Sequence, residues 1–225
     1  MSDKRAAIAA ATRARLRSAA LEVFAAKGFH GATTRDIANL AGVSTGSEFV
    51  HFRTKADALF MLAEEAHEAI QAEVIAALDA SSPDVRARVA AFVRTAARWH
   101  ADNHRLARVL AYEIKSLVPE HYEIIRASRE RTTQLLQEEI ERGAAAGEFA
   151  VLDVRYTTLA IMSQCLDLAR WFRPSPQKTA IEIGELYAQL ALRMLSGSIH
   201  SDDLTPQSGW SLTSSSANGE RGEHV

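Results

Sequence analysis

Apolar residues recur at every third or fourth position along most of this chain, and no long stretch alternates between apolar and polar residues. This period places the apolar side chains on one face of a helix, so the pattern predicts an all-α protein. A first helix is predicted over 12–27 and is ended by Gly28. Residues 1–11 before it are expected to form a mobile arm. The inward face of this helix carries Leu16, Ala20, Val23 and Phe24.

Helix signals continue to about residue 195 and predict about nine helices in all. Later helices are expected over 84–102, 104–117, 119–146 and 153–172, and the last ends near Leu195. Helix starts are marked by Thr54, by Pro83 and Pro119 at first helical positions, and by Asp153. The helix that follows Thr54 runs to about Asp79, with inward positions Leu59, Leu62, Ala66, Ile70 and Ile75. Residues 198–225 hold few large apolar residues and are predicted to be a disordered tail.

Residues 33–55 predict two short helices joined by a tight turn, followed by the capped start of a third helix. Thr34 is expected to cap the first short helix, and Ser44 the second, near 44–51. Gly42 supplies the permissive backbone that the turn needs. Ile37, Leu40 and Ala41 share one side of the first helix. This is a helix-turn-helix, which lays its second helix in the major groove of DNA, although the turn alone also fits an ordinary helical hairpin.

The residues around this turn resemble the signature of tetracycline-repressor (TetR) family regulators. The matching residues are Gly42-Val43-Ser44-Thr45-Gly46-Ser47, Phe49, Phe52, Lys55 and Leu59, preceded by Ala19-Ala20, Phe24, Gly28-Phe29, Thr33-Thr34, Ile37-Ala38 and Ala41-Gly42. The match covers roughly residues 12–62. It implies a three-helix DNA-binding domain over 1–53 and a helical ligand-binding and dimerisation domain over 54–197. Residues 54–79 would be the helix that links the two.

The resemblance also implies which residues contact DNA. Thr33, Thr34 and Arg35 at one helix N-terminus, and Thr54 and Lys55 at another, would hold phosphates. The second helix would meet DNA through Ser44, Thr45, Gly46, Ser47, Phe49, Val50 and His51. Of these, Thr45, Ser47, Val50 and His51 could reach base edges, and Gly46 permits close approach. Two positions depart from the family pattern: Phe49 lacks the hydroxyl of the usual Tyr, and Glu48 replaces an apolar residue. Glu48 either faces solvent and pairs with a nearby cation or accepts from a cytosine amine.

Charge and composition add three expectations. The first 60 residues hold nine basic and five acidic residues, a net charge of +4, whereas the whole chain has a net charge of −2. This basic segment would be steered toward phosphate. The single cysteine, Cys165, excludes an internal disulfide and is expected to be buried. No membrane span or signal peptide is recognised, so a cytoplasmic protein is expected.

The rest of the chain is interpreted through the same resemblance. Apolar faces on the last two helices would pair with a second copy as a four-helix bundle, giving a homodimer; they carry Leu159, Met162, Leu166, Ala169, Ile183, Leu186, Leu190 and Leu195. The middle helices would enclose an apolar ligand pocket, unless their aromatic residues only fill the core. Its candidate contacts are Phe92, Trp99, Tyr112, Tyr122, Tyr156, Met162 and Trp171. For an acyl-CoA-like effector, phosphate-binding cations could come from Arg98, Arg105, Arg108, Arg170 and Arg173.

These features predict a ligand-responsive regulator, a repressor that binds a palindromic DNA operator as a dimer and is released by a small apolar or acyl-CoA-like effector. No cofactor and no metal are expected. An enzyme is one alternative, but the histidines and carboxylates form no recognisable catalytic motif. The spacing of His100, Asp102 and His104 is a weak metal signal. A helical adaptor that binds protein without DNA is the second alternative.

Overall fold

The computed structural model describes residues 2–44, 52–175 and 178–197, and α-helices account for most of them. The all-α prediction is confirmed. Within these ranges no helix is both long enough and apolar enough to cross a membrane. The helices are α1 (Ser2–Gly31), α2 (Thr34–Ala41), α3 (Lys55–Asp79), α4 (Val85–Asp102), α5 (His104–Glu113), α6 (Pro119–Ala145), α7 (Val154–Trp171) and α8 (Ala180–Ser196).

Helix α1 begins ten residues earlier than predicted. Residues 2–11, expected to form a mobile arm, continue the helix. The reason is local, because this stretch is rich in Ala and contains neither Gly nor Pro to end a helix. Gly28 does interrupt the helix as predicted, with a left-handed φ of 66°, and one further turn follows before Ala32.

Side-chain caps mark the starts of most of the other helices. Thr54 and Asp153 cap α3 and α7, and Pro119 opens α6, as predicted. The prediction for Pro83 is wrong: it lies outside the helix, and Asp84 caps α4 by accepting from the backbone N–H of Ala87 at 2.9 Å. The helix predicted near 44–51 and the tail predicted over 198–225 fall outside the described residues, apart from Ser44.

Helix α4 lies at the centre of the larger part of the molecule and packs against α3, α6, α7 and α8. Its inward face is fully buried and includes Val89, Phe92 and Ala96. The predicted inward face of α3 is confirmed at four of five positions. Ile75 is wrong, because it is 41% exposed, while Val74 and Leu78 are buried in its place. Cys165 is buried on α7 as predicted.

Helices α4 and α8 make the most extensive helix pair in the described chain. Gly184 on α8 faces the backbone of α4, and a Cβ added at this position would lie 2.7 Å from the carbonyl oxygen of Arg94. That approach is too close for a side chain, and a backbone carbonyl cannot swing aside as a flexible side chain can. The two helices therefore pack closely because residue 184 is glycine.

We expect Gly184→Ala to lower the free energy of unfolding by about 1–3 kcal/mol, because the added methyl group must push α8 away from α4. Urea unfolding followed by circular dichroism measures this change. Gly197→Ala is the matched control, since its nearest neighbouring atom would be 3.8 Å away. Equal stability of the two variants would contradict this description of the α4–α8 contact.

Candidate DNA interface and effector cavity

Helix α2 begins with a reciprocal pair of hydrogen bonds. The Thr33 hydroxyl accepts from the Asp36 backbone N–H at 3.1 Å, and the Asp36 carboxylate accepts from the Thr33 N–H at 3.0 Å. Thr33 is therefore the cap, and the prediction for Thr34 is wrong by one residue. Lys27 also reaches Asp36 at 2.8 Å. The hydrogen bond from Lys27, followed by that from Thr33, lowers the pKa of the Asp36 carboxyl.

The turn after α2 has the predicted chemistry. Gly42 takes a left-handed φ of 63°, and its N–H donates to the carbonyls at the end of α2. Ile37 and Ala41 are buried as predicted, but Leu40 is 58% exposed, and Ala38 is buried instead. Phe52 is buried in the core. The turn therefore ends α2 beside a packed α1–α2 pair.

Lys55, the first residue of α3, is held by the end of α1. Its Nζ donates to the carbonyl oxygens of Phe29, His30 and Ala32 at 2.8, 3.1 and 3.1 Å. It also lies 4.7 Å from the centre of the Phe29 ring. A lysine ammonium has three N–H donors, so all three have partners. A phosphate contact at Lys55 would require one of these bonds to break.

This contact brings two helix N-termini together. Ala32 directly precedes the Thr33 cap of α2, and Lys55 opens α3, so both helices start beside the C-terminal end of α1. At each start, the first two backbone N–H groups have no carbonyl partner within the helix, and the helix dipole adds partial positive charge. Such an arrangement can bind phosphate.

The basic residues near this surface differ in availability. Arg13 pairs with Glu65 at 2.7 Å and Lys27 with Asp36. Within the described chain, Arg15, Arg35 and Arg53 form no ion pair. Arg35 was predicted to contact a phosphate. Arg15 and Arg53 were not predicted to do so, because the sequence does not show which cations form ion pairs.

Most of the predicted base-contacting residues lie outside the part of the chain that the structure describes. Ser44 is described and lies after the turn. The remaining members of that set fall outside the described residues: Thr45, Gly46, Ser47, Phe49, Val50 and His51, together with Glu48.

A small cavity of about 120 Å³ lies between α3, α4, α5, α6 and α7, and we call it the inner chamber. Most of its wall is apolar. Its polar side chains come from two histidines, one arginine and two threonines. The lining residues are Ala66, His67, Ile70, Trp99, His100, Ala107, Leu110, Ala111, Ile114, Arg129, Thr132, Thr133, Met162 and Leu166.

A more polar space of about 530 Å³ adjoins the inner chamber, and we call it the outer groove. The two share Ile114, Arg129 and Thr133, so these residues border both spaces. Arg126 and Arg155 also line the groove. Arg126 is paired with Glu123 and Glu130, whereas Arg129 and Arg155 form no ion pair among the described residues.

The structure separates the predicted ligand contacts into three groups. Trp99 and Met162 line the inner chamber, and Tyr122 lines the outer groove. Phe92 is fully buried in the core and does not line either space. The rest are exposed elsewhere: Tyr112, Tyr156 and Trp171.

Family comparisons agree with this arrangement along most of the chain. Residues 16–60 match the model described as bacterial regulatory proteins of the tetR family. Residues 82–195 match the tetracyclin repressor-like C-terminal domain. The chain belongs to the TetR family. Its helix-turn-helix segment is therefore that of a DNA-binding transcriptional regulator, and most of the residues that line the chamber lie within the matched C-terminal domain.

Individual relatives of this TetR-family protein are regulators as well. The HTH-type transcriptional repressor KstR2 of Mycolicibacterium smegmatis is 26% identical over 81% of this chain and 90% of its own length. A tetR-family regulatory protein from Rhodococcus RHA1 is 40% identical, with a TM-score of 0.76 over 83% of this chain and 98% of its own. AibR, solved with isovaleryl coenzyme A and operator DNA, shares the fold with a TM-score of 0.70 at 19% identity, over 82% and 97% of the two chains.

The arginines first considered for effector phosphates have other partners in this TetR-family chain. Arg98 pairs with Glu73 and Arg170 with Asp167. Arg105 donates two hydrogen bonds to Glu22 on α1, at 2.8 and 2.7 Å. Arg108 and Arg173 donate to backbone carbonyls. None of the five lines the inner chamber or the outer groove.

Two histidines of the inner chamber are neutral near pH 7. Burial is the largest cause, and it lowers the pKa of both His67 and His100 to about 4. The positive charge of Arg129 lowers both values further. In His100, a hydrogen bond to the Ala96 carbonyl partly opposes these effects. The chamber therefore holds one cation beside two uncharged rings.

We expect Lys55→Met to lower the free energy of unfolding by about 1–3 kcal/mol, because three carbonyl oxygens lose a charged donor. Urea unfolding measures the change. Lys27→Met is the matched control: its ion pair with Asp36 is exposed, so a loss of at most about 1 kcal/mol is expected. If the two variants lose the same stability, Lys55 does not fasten α1 to α3 as described.

The two histidines also predict a pH dependence of stability. Well above pH 6.5 they are neutral in both states, but as the pH falls through 6.5 towards 4 the unfolded chain binds protons that the folded chain does not. The free energy of unfolding should therefore fall by about 2 kcal/mol per histidine between pH 7 and pH 5. In the double variant His67→Gln, His100→Gln, the free energy of unfolding measured with urea should no longer show this fall with pH. An unchanged slope would show that neither ring is held neutral.

Proposed function

We propose that this protein is a homodimeric repressor that binds a palindromic operator and is released by an acyl-CoA-like effector. The observation that carries the proposal is that one helix, α3, both lines the inner chamber and holds the N-terminal helices. Residues 1–53 would form the DNA-binding domain. Residues 54–197 would form the ligand-binding and dimerisation domain, with 54–79 as the link.

Exposed apolar side chains on α7 and α8 support the dimer. Large apolar side chains that are at least one-third exposed lie along both helices, and such a surface is typical of a protein interface. A two-fold pairing through these helices would set two DNA-binding domains side by side, about 34–36 Å apart on a palindromic site. The side chains are Tyr156, Leu159, Leu166, Trp171, Ile181, Leu186, Leu190 and Met194.

The N-termini of α2 and α3 support the phosphate contacts. Their free backbone N–H groups, with Thr33, Thr34, Arg35 and Thr54, would hold the DNA backbone. Lys55 would act as a positioning residue that keeps these N-termini together. The helix that begins at Ser44 would contact bases in the major groove through Thr45, Ser47, Val50 and His51. Arg15 and Arg53 add two unpaired cations to the same part of the chain.

The inner chamber and the outer groove support the effector class. An acyl-CoA needs an apolar space for its acyl chain and cations for its phosphates. The chamber would take the acyl chain, and Arg129 and Arg155 would face the anionic part in the groove. The two volumes together lie within the range of roughly 300–1,000 Å³ that ligand pockets occupy. AibR, which shares the fold, was solved with a coenzyme A thioester.

Release would follow from a shift between two positions of α3. Ala66, His67 and Ile70 on α3 form part of the chamber wall, and Lys55 lies on the same helix. Glu22 on α1 and Arg105 on α5 make a second connection from the chamber helices to the DNA-binding helices. The effector must bind the DNA-incompetent arrangement more tightly, since only differential binding shifts an equilibrium.

A gel-shift assay with DNA from upstream of the protein's own gene tests the proposal. We expect a shifted complex whose affinity falls steeply with salt and which hexanoyl-CoA releases. Arg129→Gln should still bind DNA but should need at least tenfold more hexanoyl-CoA for release. Arg131→Gln, an exposed arginine on the same helix, is the control and should behave as the wild type.

Two results would count against the proposal. No shifted complex at low salt would contradict operator binding and favour the helical adaptor. If the same concentration of hexanoyl-CoA releases Arg129→Gln and Arg131→Gln from DNA, the effector does not bind at Arg129.

A further inference from the structure

The wall of the inner chamber carries three polar side chains besides two threonines whose hydroxyls donate to backbone carbonyls, and we call these three the polar corner. It consists of His67 on α3, His100 on α4 and Arg129 on α6. The three groups lie near one another, since the positive charge of Arg129 lowers the pKa of both histidines. An apolar acyl chain alone would place hydrocarbon against this corner.

His100 presents a hydrogen-bond acceptor to the chamber. Its Nδ1 lies 2.8 Å from the carbonyl oxygen of Ala96. A carbonyl can only accept, so Nδ1 must carry the hydrogen. In a neutral ring the other nitrogen, Nε2, then holds a lone pair. His100 is 6% exposed and lines the chamber, so the group that meets this lone pair comes from whatever fills the chamber.

The other two members of the corner can donate. Within the described part of the chain, neither the His67 ring nor the Arg129 guanidinium forms a hydrogen bond or an ion pair. The neutral His67 ring carries one N–H, and the guanidinium carries five. Polar groups in a largely buried space are stable when they are hydrogen-bonded, so the corner favours a ligand with a matching polar group.

We propose that the effector carries a hydroxyl group on its acyl portion, and that this hydroxyl donates to Nε2 of His100 and accepts from His67 or Arg129. A hydroxyl can do both at once. A ketone or an ester oxygen accepts only, and a carboxylate also accepts only, so neither satisfies the His100 lone pair. This proposal rests on the acyl-CoA effector proposed above and narrows it to hydroxyacyl thioesters.

Titration calorimetry with the full chain tests this assignment through matched thioesters. Hexanoyl-CoA is compared with 3-hydroxyhexanoyl-CoA and 6-hydroxyhexanoyl-CoA, which place the hydroxyl near to and far from the thioester. We expect at least one hydroxylated ester to bind tenfold or more tightly than hexanoyl-CoA. Equal or weaker binding of both hydroxylated esters would overturn the proposal and leave the acyl-CoA effector standing.

Two histidine variants separate the corner from general effects on folding. His100→Phe removes the acceptor and should abolish the preference for the hydroxylated ester while hexanoyl-CoA still binds. His104→Phe is the matched control: its Nδ1 lies 3.0 Å from the Ala101 carbonyl, but the ring does not line the chamber. It should keep the preference. Loss of the preference in both variants, or in neither, would overturn the role of His100.

A second pair of probes does not depend on coenzyme A. Cyclohexanol and methylcyclohexane are similar in size, and their binding can be followed by ¹⁵N NMR of the histidine rings. We expect only the alcohol to shift the Nε2 resonance of His100. If no thioester binds but cyclohexanol shifts the Nε2 resonance of His100, the proposal of an acyl-CoA effector is wrong and the hydroxyl assignment holds. If the alcohol also leaves His100 unchanged, the hydroxyl assignment is wrong.

Discussion

The continuity of helix α3 is the constraint on which the rest of this structure depends. Over its 25 residues, α3 begins at Lys55 and carries Ala66, His67 and Ile70 into the chamber wall. Lys55 and Ala66 are separated by roughly 16 Å along the helix axis. A helix without an internal break transmits a displacement of its middle to its end, because bending it costs backbone hydrogen bonds. The chamber and the DNA-binding helices therefore share one stiff element.

Pairing decides which of the charged side chains are available to a ligand. Several arginines in the larger part of the molecule reach carboxylates or carbonyls of other helices and so join the helices of the bundle. Arg88 on α4, for example, reaches the buried carboxylate of Glu139 on α6, which Arg142 also contacts from within α6. Arg129 and Arg155 differ because they face the outer groove with no such partner in the described chain. An anionic ligand at this groove would not have to displace an existing ion pair.

Local signals in the sequence predicted the helices better than the sites. Thr54 and Asp153 mark helix starts because a cap depends only on residues three positions apart. The inner chamber depends instead on five helices that meet from distant parts of the chain. His67 and Arg129 carried no sequence signal for this reason, whereas Trp99 and Met162 were predicted from their apolar character. The sequence did not show that Arg105 pairs with Glu22, because the two residues lie 83 positions apart, and Arg105 was therefore predicted to bind a phosphate.

The errors at single positions have similar causes. Periodicity placed Leu40 and Ile75 inward, but the surfaces that α2 and α3 bury are rotated toward Ala38 and Val74. Composition suggested an arm before Thr12, yet the Ala-rich stretch contains nothing that ends a helix. Family resemblance supplied what the local pattern could not, since the turn at Gly42 fits both a DNA-binding motif and an ordinary hairpin.

The most direct test of the link through α3 is a distance measured within one protomer by pulsed electron resonance. Spin labels would be placed at the exposed positions Asn39→Cys on α2 and Glu138→Cys on α6. Burial raises the pKa of the Cys165 thiol to about 12, so that the native cysteine does not compete for the label. Labelled chains are diluted with unlabelled protein to suppress distances between protomers. Saturating hexanoyl-CoA should shift the mean distance by about 2 Å or more, and an unchanged distance distribution with ligand bound would contradict the link.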